Sequence, residues 1–548
     1  MIKSRKIVTW LTVLLLAFLT VFILVDSNAF EFVIYTLVVF LNGWYIYENV
    51  LKHKIQRQGN SITYFFTGYF FLIVLYYICC IFRTFLIIKV ATAVLAIKSL
   101  TELYKYIFEH KSNLLTDYIY NNTEKLICIL ILMCWSAYIM YDTFTTPNMM
   151  WNPDYQWHMG NMYTLSSGYN FQDIRVSGMT FKYHYFNDLF FAIGRILFGI
   201  LPYDCAVRFP ILIVPFLAVE SITLLFDNID SADKRLLPFL GTFSLVFMTL
   251  SGSRNDVTYQ LLSNINSVGI SLPCGILCAC FIMKSTEKTH ISIYDTVYSM
   301  MLICLVTGLK GPFALSLLGG ATGYVLYMLI KRIKLPEKYI LYLVCMYVAF
   351  GITYMSLLSG ALNEDYARES LFIESVYKVP QLIPYIDTLG LGLKARFLFF
   401  LPASFLFLTG ILAIPFVLMC IKYVFRFLNF RNKEISTDVF VICLCVSSVA
   451  VYYLFSLAGT SQNYFLYFST PFIGYLGFKE IVDLYNKIGY KRIFAAAMTL
   501  LCGINIVISF KNVDTGDKID FYTDEIIEGV QWIKENIPDN ERIAVNRH

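Results

Sequence analysis

The sequence predicts an all-α polytopic membrane protein with about 13–15 transmembrane helices. Composition is the first reason: 58% of the 548 residues are apolar, only 15% are charged, and mean hydropathy is +0.63. A soluble chain carries about 25% charged residues, so this one lacks the polar surface to cover a water-soluble fold. The second reason is arithmetic. Fifteen spans of about 20 residues need roughly 300 positions, which matches the density of apolar blocks. Third, blocks such as 7–25 and 439–457 are apolar on every face. That excludes an outer-membrane barrel, whose strands alternate over about 10 residues. The net charge of +5 lies in short Lys/Arg clusters between blocks, which read as topology signals and not as a nucleic-acid surface. Nearly all of the 14 cysteines fall inside apolar blocks and read as small buried hydrophobes.

Taken in order, Lys3, Arg5 and Lys6 precede an uncleaved first span, and a second span, 30–50, returns to Lys52, His53, Lys54 and Arg57. The positive-inside rule puts both clusters in the cytoplasm. Spans 62–82 and 84–104 form a hairpin that leads to Lys98, Lys105, Lys111 and Lys125. Span 126–142 then ends outside, before a long polar segment, 143–182. Further blocks lie near 206–226, 236–250, 268–284, 293–308, 312–330, 339–358, 397–425, 437–457, 465–482 and 491–509. If 185–201 makes no net crossing, all five later basic connectors land inside; if it crosses, all five land outside. It is therefore expected to be a juxtamembrane or re-entrant helix. This topology gathers 143–182, 251–267, the Gly308–Pro312 break, the loop 360–396 and 458–464 on the outer side, as a site would require. The expected organisation is a four-helix membrane extension (1–124), a transmembrane core (125–510) and an outer C-terminal segment (511–548), which reads as a truncated domain. The N-terminus is expected in the cytoplasm and the C-terminus outside a bacterial cell membrane.

The densest set of reactive side chains is Trp151-Asn152-Pro153-Asp154-Tyr155-Gln156-Trp157-His158. On a helix starting after Pro153, Asp154 and His158 share one face, as a general base or metal-binding pair would. The alternative is that Asp154 is an N-cap to which His158 hydrogen-bonds. A second piece, Tyr183-His184-Tyr185, reads either as an interfacial aromatic belt or as part of the same site.

These residues resemble the GT-C superfamily of membrane glycosyltransferases, which use polyprenyl-phosphate-linked sugars. The resemblance rests on Asp154 in the first large outer loop, the D-x-x-x-H spacing and the later Tyr-His-Tyr. Ala206-Val207-Arg208-Phe209-Pro210 is similar to the A-x-R-x-P opening of the next span in mannosyltransferase-like members, and Asn463-Tyr464-Phe465-Leu466 resembles the late R-Y-x-L segment. It covers roughly 125–548. It implies an inverting transfer with Asp154 as the catalytic carboxylate beside His158, a polyprenyl-phosphate-linked sugar as donor, and membrane lipid as surroundings. There is no W-W-D motif, and Tyr155 follows Asp154 where protein mannosyltransferases carry Asp-Glu. The acceptor is therefore expected to be a glycan or lipid. The resemblance leaves the cofactor open between none and a divalent cation, Mg or Mn.

The residue types fit this chemistry independently, because a leaving phosphate gains charge that cations stabilise. The expected substrate-binding set is Tyr183, His184, Lys310, Arg254 and Arg396. Lys310 leads, since a Gly/Pro-interrupted span boundary exposes backbone where it lines a cavity; its alternative is a snorkelling lysine. The acidic loop 360–396 reads as a lid or as a solvated segment. Glu220, the only carboxylate well inside an apolar block, calls for a partner or a neutral state. Two other functions stay open. One is an arginine-dependent polysaccharide polymerase or ligase. The other is a transporter or lipid flippase, whose inverted repeats and midplane charges are represented here by no repeat and only by Glu220 and Lys89.

Overall fold

The computed structural model describes residues 2–25, 29–55, 59–110, 119–145, 154–169, 181–229, 233–246, 257–264, 267–358, 393–429, 437–455 and 461–511, with a few positions of the tail. They form α1 (Ile2–Leu24), α2 (Ala29–Ile46), α3 (Ser61–Phe82), α4 (Leu86–His110), α5 (Thr123–Thr145), α6 (Asp154–Ser167), α7 (Phe186–Phe198), α8 (Pro202–Val207), α9 (Phe209–Phe226) and α10 (Leu237–Val246). They continue with α11 (Val257–Leu262), α12 (Val268–Thr286), α13 (Ile293–Ile330), α14 (Tyr339–Leu358), α15 (Leu393–Thr409), α16 (Ala413–Leu428), α17 (Asp438–Leu454), α18 (Asn463–Lys487) and α19 (Lys491–Lys511). Among the described residues, nine helices are long and apolar enough to cross a membrane, or ten if the bent pair α15 and α16 makes one pass. Two blocks expected as spans are shorter helices, α10 and α17.

The nine include α13, which is long enough for two passes. Its 38 residues contain one non-helical position, Lys310, at φ −160° and ψ 98°. Pro312 lacks the N–H that would close the turn back to Gly308, so the helix breaks there. The two ends of α13 lie together: just outside it, Ile291 N donates to Glu337 O at 3.2 Å and Glu337 N to Thr289 O at 2.9 Å. The segment therefore doubles back at Lys310. Its arms, 293–309 and 311–330, are each about 25–30 Å long, close to the thickness of a hydrocarbon core. Lys310 is the tip of a hairpin, as the Gly-Lys-Gly-Pro signal predicts.

The polar groups divide between the two ends of the bundle. At the end away from Lys310, basic connectors meet buried carboxylates. Lys288 pairs with Asp295 at 2.7 Å, Lys479 with Asp438 at 2.7 Å, and Lys422 with Glu480. Glu220 belongs to this group. Its carboxylate is held by Lys125 at 3.2 Å and by Ser61 Oγ at 2.9 Å, so the partner it requires is present.

Helix α7 occupies the opposite end. With 13 residues it is about 20 Å long, shorter than the roughly 30 Å hydrocarbon core. Residues 186–194 are all buried, Asn187 and Asp188 among them. Gly199, at φ +74°, ends the helix in the left-handed conformation that glycine adopts without strain. Helices from the first 124 residues hold α7 in place. Tyr35 of α2 donates to Phe190 O at 2.7 Å, and Tyr69 of α3 donates to Phe186 O. Tyr76 donates to Leu165 O at 2.8 Å, and the hydroxyls of Tyr77 and Tyr185 meet at 2.8 Å.

Candidate functional site

Helix α6 starts at Asp154 and packs on α7. His158 and Asn161 are three residues apart on α6, so they point the same way, and both reach Asp188 on α7. His158 Nδ1 lies 2.8 Å from Asp188 Oδ1, and Asn161 Nδ2 donates to Oδ2 at 2.6 Å. Asp188 is fully buried. Against an ionised carboxylate, which only accepts hydrogen bonds, a neutral imidazole carries its proton on Nδ1 and its lone pair on Nε2. Buried Nε2 has no hydrogen-bond partner among the described residues. A base whose far nitrogen is oriented by a carboxylate is the arrangement that proton transfer from a hydroxyl requires.

The network extends through two amides, Asn187 and Asn264. Asn264 Nδ2 donates to Asn187 Oδ1 at 3.1 Å, next to Asp188 in the chain. Asn264 adopts φ +52°, a left-handed conformation that asparagine tolerates. Gly269 makes room for it, because a Cβ there would stand 2.6 Å from Asn264 Oδ1.

Lys310 is reached through a stack of rings. Tyr183 lies with its ring centroid 6.1 Å from that of His158 and 3.9 Å from that of His184. His184 Nε2 is 3.2 Å from Lys310 Nζ. Burial, then the Lys310 ammonium and then His158 hold His184 well below the usual imidazole range. The ring is therefore neutral and accepts from the ammonium. Lys310 is 2% exposed, and its Nζ also lies 3.6 Å from the Tyr464 ring centroid at the start of α18, a cation–π contact. Gly308 permits the approach of α7, since a Cβ there would come within 2.2 Å of the Phe186 ring.

The structure thus brings together His158, Tyr183, His184 and Lys310 from three separate parts of the sequence. Asp154 begins α6 one turn before His158, while its side chain lies outside the described residues. The Nδ1 partner of His158 is Asp188, where the sequence offered Asp154 as its hydrogen-bonding neighbour. Arg254, the side chain of Arg396, the loop 360–392 and most of the tail also lie outside the described residues. Arg208 serves packing: it donates to Val25 O at 2.6 Å at the end of α1, and its Nε lies 3.3 Å from Asp204. Sequence reasoning passed over Asp188, Asn161 and Asn264 as functional residues. Tyr464 it quoted only within the R-Y-x-L-like segment.

The described residues do not form a divalent-cation cage. Among them no three His, Cys, Asp or Glu side chains converge, and both oxygens of Asp188 already accept hydrogen bonds.

Neither a family model nor a curated protein matches the chain. Among solved structures it is similar to the archaeal oligosaccharyltransferase AglB from Archaeoglobus fulgidus in complex with an inhibitory peptide and a dolichol-phosphate. There the TM-score is 0.40 at 13% identity, over 75% of this chain and 58% of that one. The Archaeoglobus fulgidus oligosaccharyltransferase in the apo form gives 0.45 at 13% identity, over 75% and 58%. Its complex with Zn and sulfate gives 0.43 at 14%, over 74% and 56%. The chain spans less than three fifths of the length of these proteins. It is an all-α multi-pass membrane protein, and the solved structures it is similar to are oligosaccharyltransferases.

Proposed function

We propose that this chain is an integral-membrane glycosyltransferase. It transfers a sugar from a polyprenyl-phosphate donor to a hydroxyl of a glycan or lipid acceptor, with inversion, on the outer face of a cell membrane. One observation carries the reading: a buried imidazole, oriented by Asp188 and with no Nε2 partner among the described residues, shares one end of the bundle with a buried lysine at a helix break. In a single displacement the acceptor hydroxyl gives its proton to His158 Nε2. The oxygen forms the new bond at the sugar's anomeric carbon while the bond to the phosphate oxygen breaks, and the electron pair leaves with the phosphate. Lys310, steadied by neutral His184, faces the charge that develops there. Asp154, the carboxylate that the resemblance assigns to catalysis, opens the same helix and is the alternative proton acceptor.

The test uses purified protein in liposomes, a panel of radiolabelled polyprenyl-phosphate sugars, and extraction of glycosylated acceptor. His158→Gln and Lys310→Met should each lower transfer by at least about 100-fold, the low end of a general base's contribution, without changing the gel-filtration profile. Full activity in His158→Gln with loss in Asp154→Asn would give the proton to Asp154. Full activity in both overturns the mechanism, and no transfer from any polyprenyl-phosphate sugar overturns the function.

A further inference from the structure

A cavity of about 750 Å³ lies between α5, α10, α18 and α19, within the ~300–1,000 Å³ of built ligand sites. It is separate from the site above. Tyr464, against Lys310, opens α18, whereas the cavity is lined on that helix by Phe478 to Asn486. Those residues lie 14 to 22 positions further on, about 21–33 Å along the axis.

The walls are apolar. Helix α19 turns one stripe, Phe494, Met498, Cys502 and Ile506, towards the cavity, at the four-residue spacing of a single helix face. Little else among the described residues covers this helix: only 6% of its spanning window is buried. The mouth is cationic. Tyr485, Asn486 and Asp233 line it, and the Lys491 ammonium lies 5.3 Å from the Tyr485 ring centroid. Lys487 follows Asn486 directly, Lys234 and Arg235 follow Asp233, and all four cations are exposed. Carboxylates stand among them too: Asp233, whose Oδ1 accepts from the Arg235 backbone N–H at 3.1 Å, Asp227, which feels the Lys234 charge, and Asp483, on α18 between Val482 and Tyr485.

An apolar slot among helices of a membrane protein, with basic side chains at its rim, fits one kind of occupant. We infer that this cavity binds an anionic phospholipid of the phosphatidylglycerol class, with one acyl chain against the α19 stripe and the headgroup phosphate among Lys234, Arg235, Lys487 and Lys491. The lipid seals α19 to the bundle. This site does not depend on the chemistry proposed for the other end.

The experiment uses the full chain, purified in a neutral detergent and mixed with equal amounts of phosphatidylglycerol and phosphatidylcholine. Native mass spectrometry then counts retained lipid. Wild-type protein should keep phosphatidylglycerol at least tenfold over phosphatidylcholine, and thermal unfolding should rise when phosphatidylglycerol is added. Met498→Trp, which fills the slot, should remove retention and the thermal shift together. Lys234→Glu with Lys491→Glu should remove the preference for the anionic lipid and leave the slot open. Equal retention of the two lipids by wild type overturns the inference. So does wild-type retention in Met498→Trp, or preferential capture of a polyprenyl phosphate over phosphatidylglycerol. A Met498→Trp protein that fails to fold is replaced by the double charge reversal, whose surface positions carry the same test.

Discussion

Replacing Asp188 with Asn separates an oriented base from a merely buried histidine. The change keeps the shape of the side chain and removes its charge. In the proposed reaction His158 becomes cationic as it takes the acceptor's proton, 2.8 Å from Asp188 Oδ1. Two opposite charges about 4 Å apart attract by ~4 kcal/mol at an effective dielectric constant near 20. At 1.36 kcal/mol per tenfold change in rate, losing that attraction lowers transfer by about 10²–10³-fold. Folding should survive, because Asn161 Oδ1 has no partner among the described residues and Asn161 can turn its amide to meet the new NH2 group. Asp188→Ala, by contrast, forfeits the hydrogen bonds from His158, Asn161 and Asn187 to a buried charge, roughly 1.5–3 kcal/mol each for well-formed ones, and should lower the melting temperature. The assay is the initial rate of sugar transfer in liposomes beside a thermal melt of the same preparation. An Asp188→Asn protein that melts like wild type and transfers within threefold of its rate would refute the reasoning.

Gly308→Ala puts a methyl group within 2.2 Å of the Phe186 ring; overpacking of this kind costs about 1–3 kcal/mol, so a lower melting temperature and slower transfer are expected together. Lys125→Met strands the Glu220 carboxylate, which is 5% exposed, and should cost about 3–5 kcal/mol; adding Glu220→Gln should restore most of the loss in a chemical unfolding series. His184 titrates below its unfolded value, so its contribution is fully present above about pH 6.5 and is lost as pH falls towards the folded pKa. Unfolding temperature should therefore decline with acidification through that window, and His184→Gln should flatten the decline.

Much of this architecture is legible in periodicity and punctuation. The Gly-Lys-Gly-Pro run announces the turn of α13, because a missing N–H and flexible glycines allow a helix to break only where polar backbone finds partners. His158 and His184 stand out as two of six histidines in one segment. Asp188 does not. It follows Tyr-His-Tyr-Phe-Asn in what reads as an aromatic belt, and only the packing of α6 on α7 places it against a histidine 30 positions earlier. A usable signal was present in the Asn187-Asp188 pair, two polar residues at the start of an otherwise apolar helix, where burial demands partners. Glu220 was legible as a residue that needs a counter-charge, but Lys125, its partner, is 95 residues away, and spacing carries no trace of so distant a contact.

The hydroxyls of Tyr35, Tyr69, Tyr76 and Tyr77 give the first 124 residues a consequence beyond anchoring. They terminate on the backbone or side chains of residues 165–190, the stretch that carries His184 and Asp188. A shortened protein starting at residue 125 would leave those acceptors facing hydrocarbon, at about 1–3 kcal/mol for each group stripped of its bond. Anyone grafting this reaction centre onto another scaffold must therefore transplant the leading helices with it, since the smallest unit that keeps the imidazole aimed begins before Tyr35.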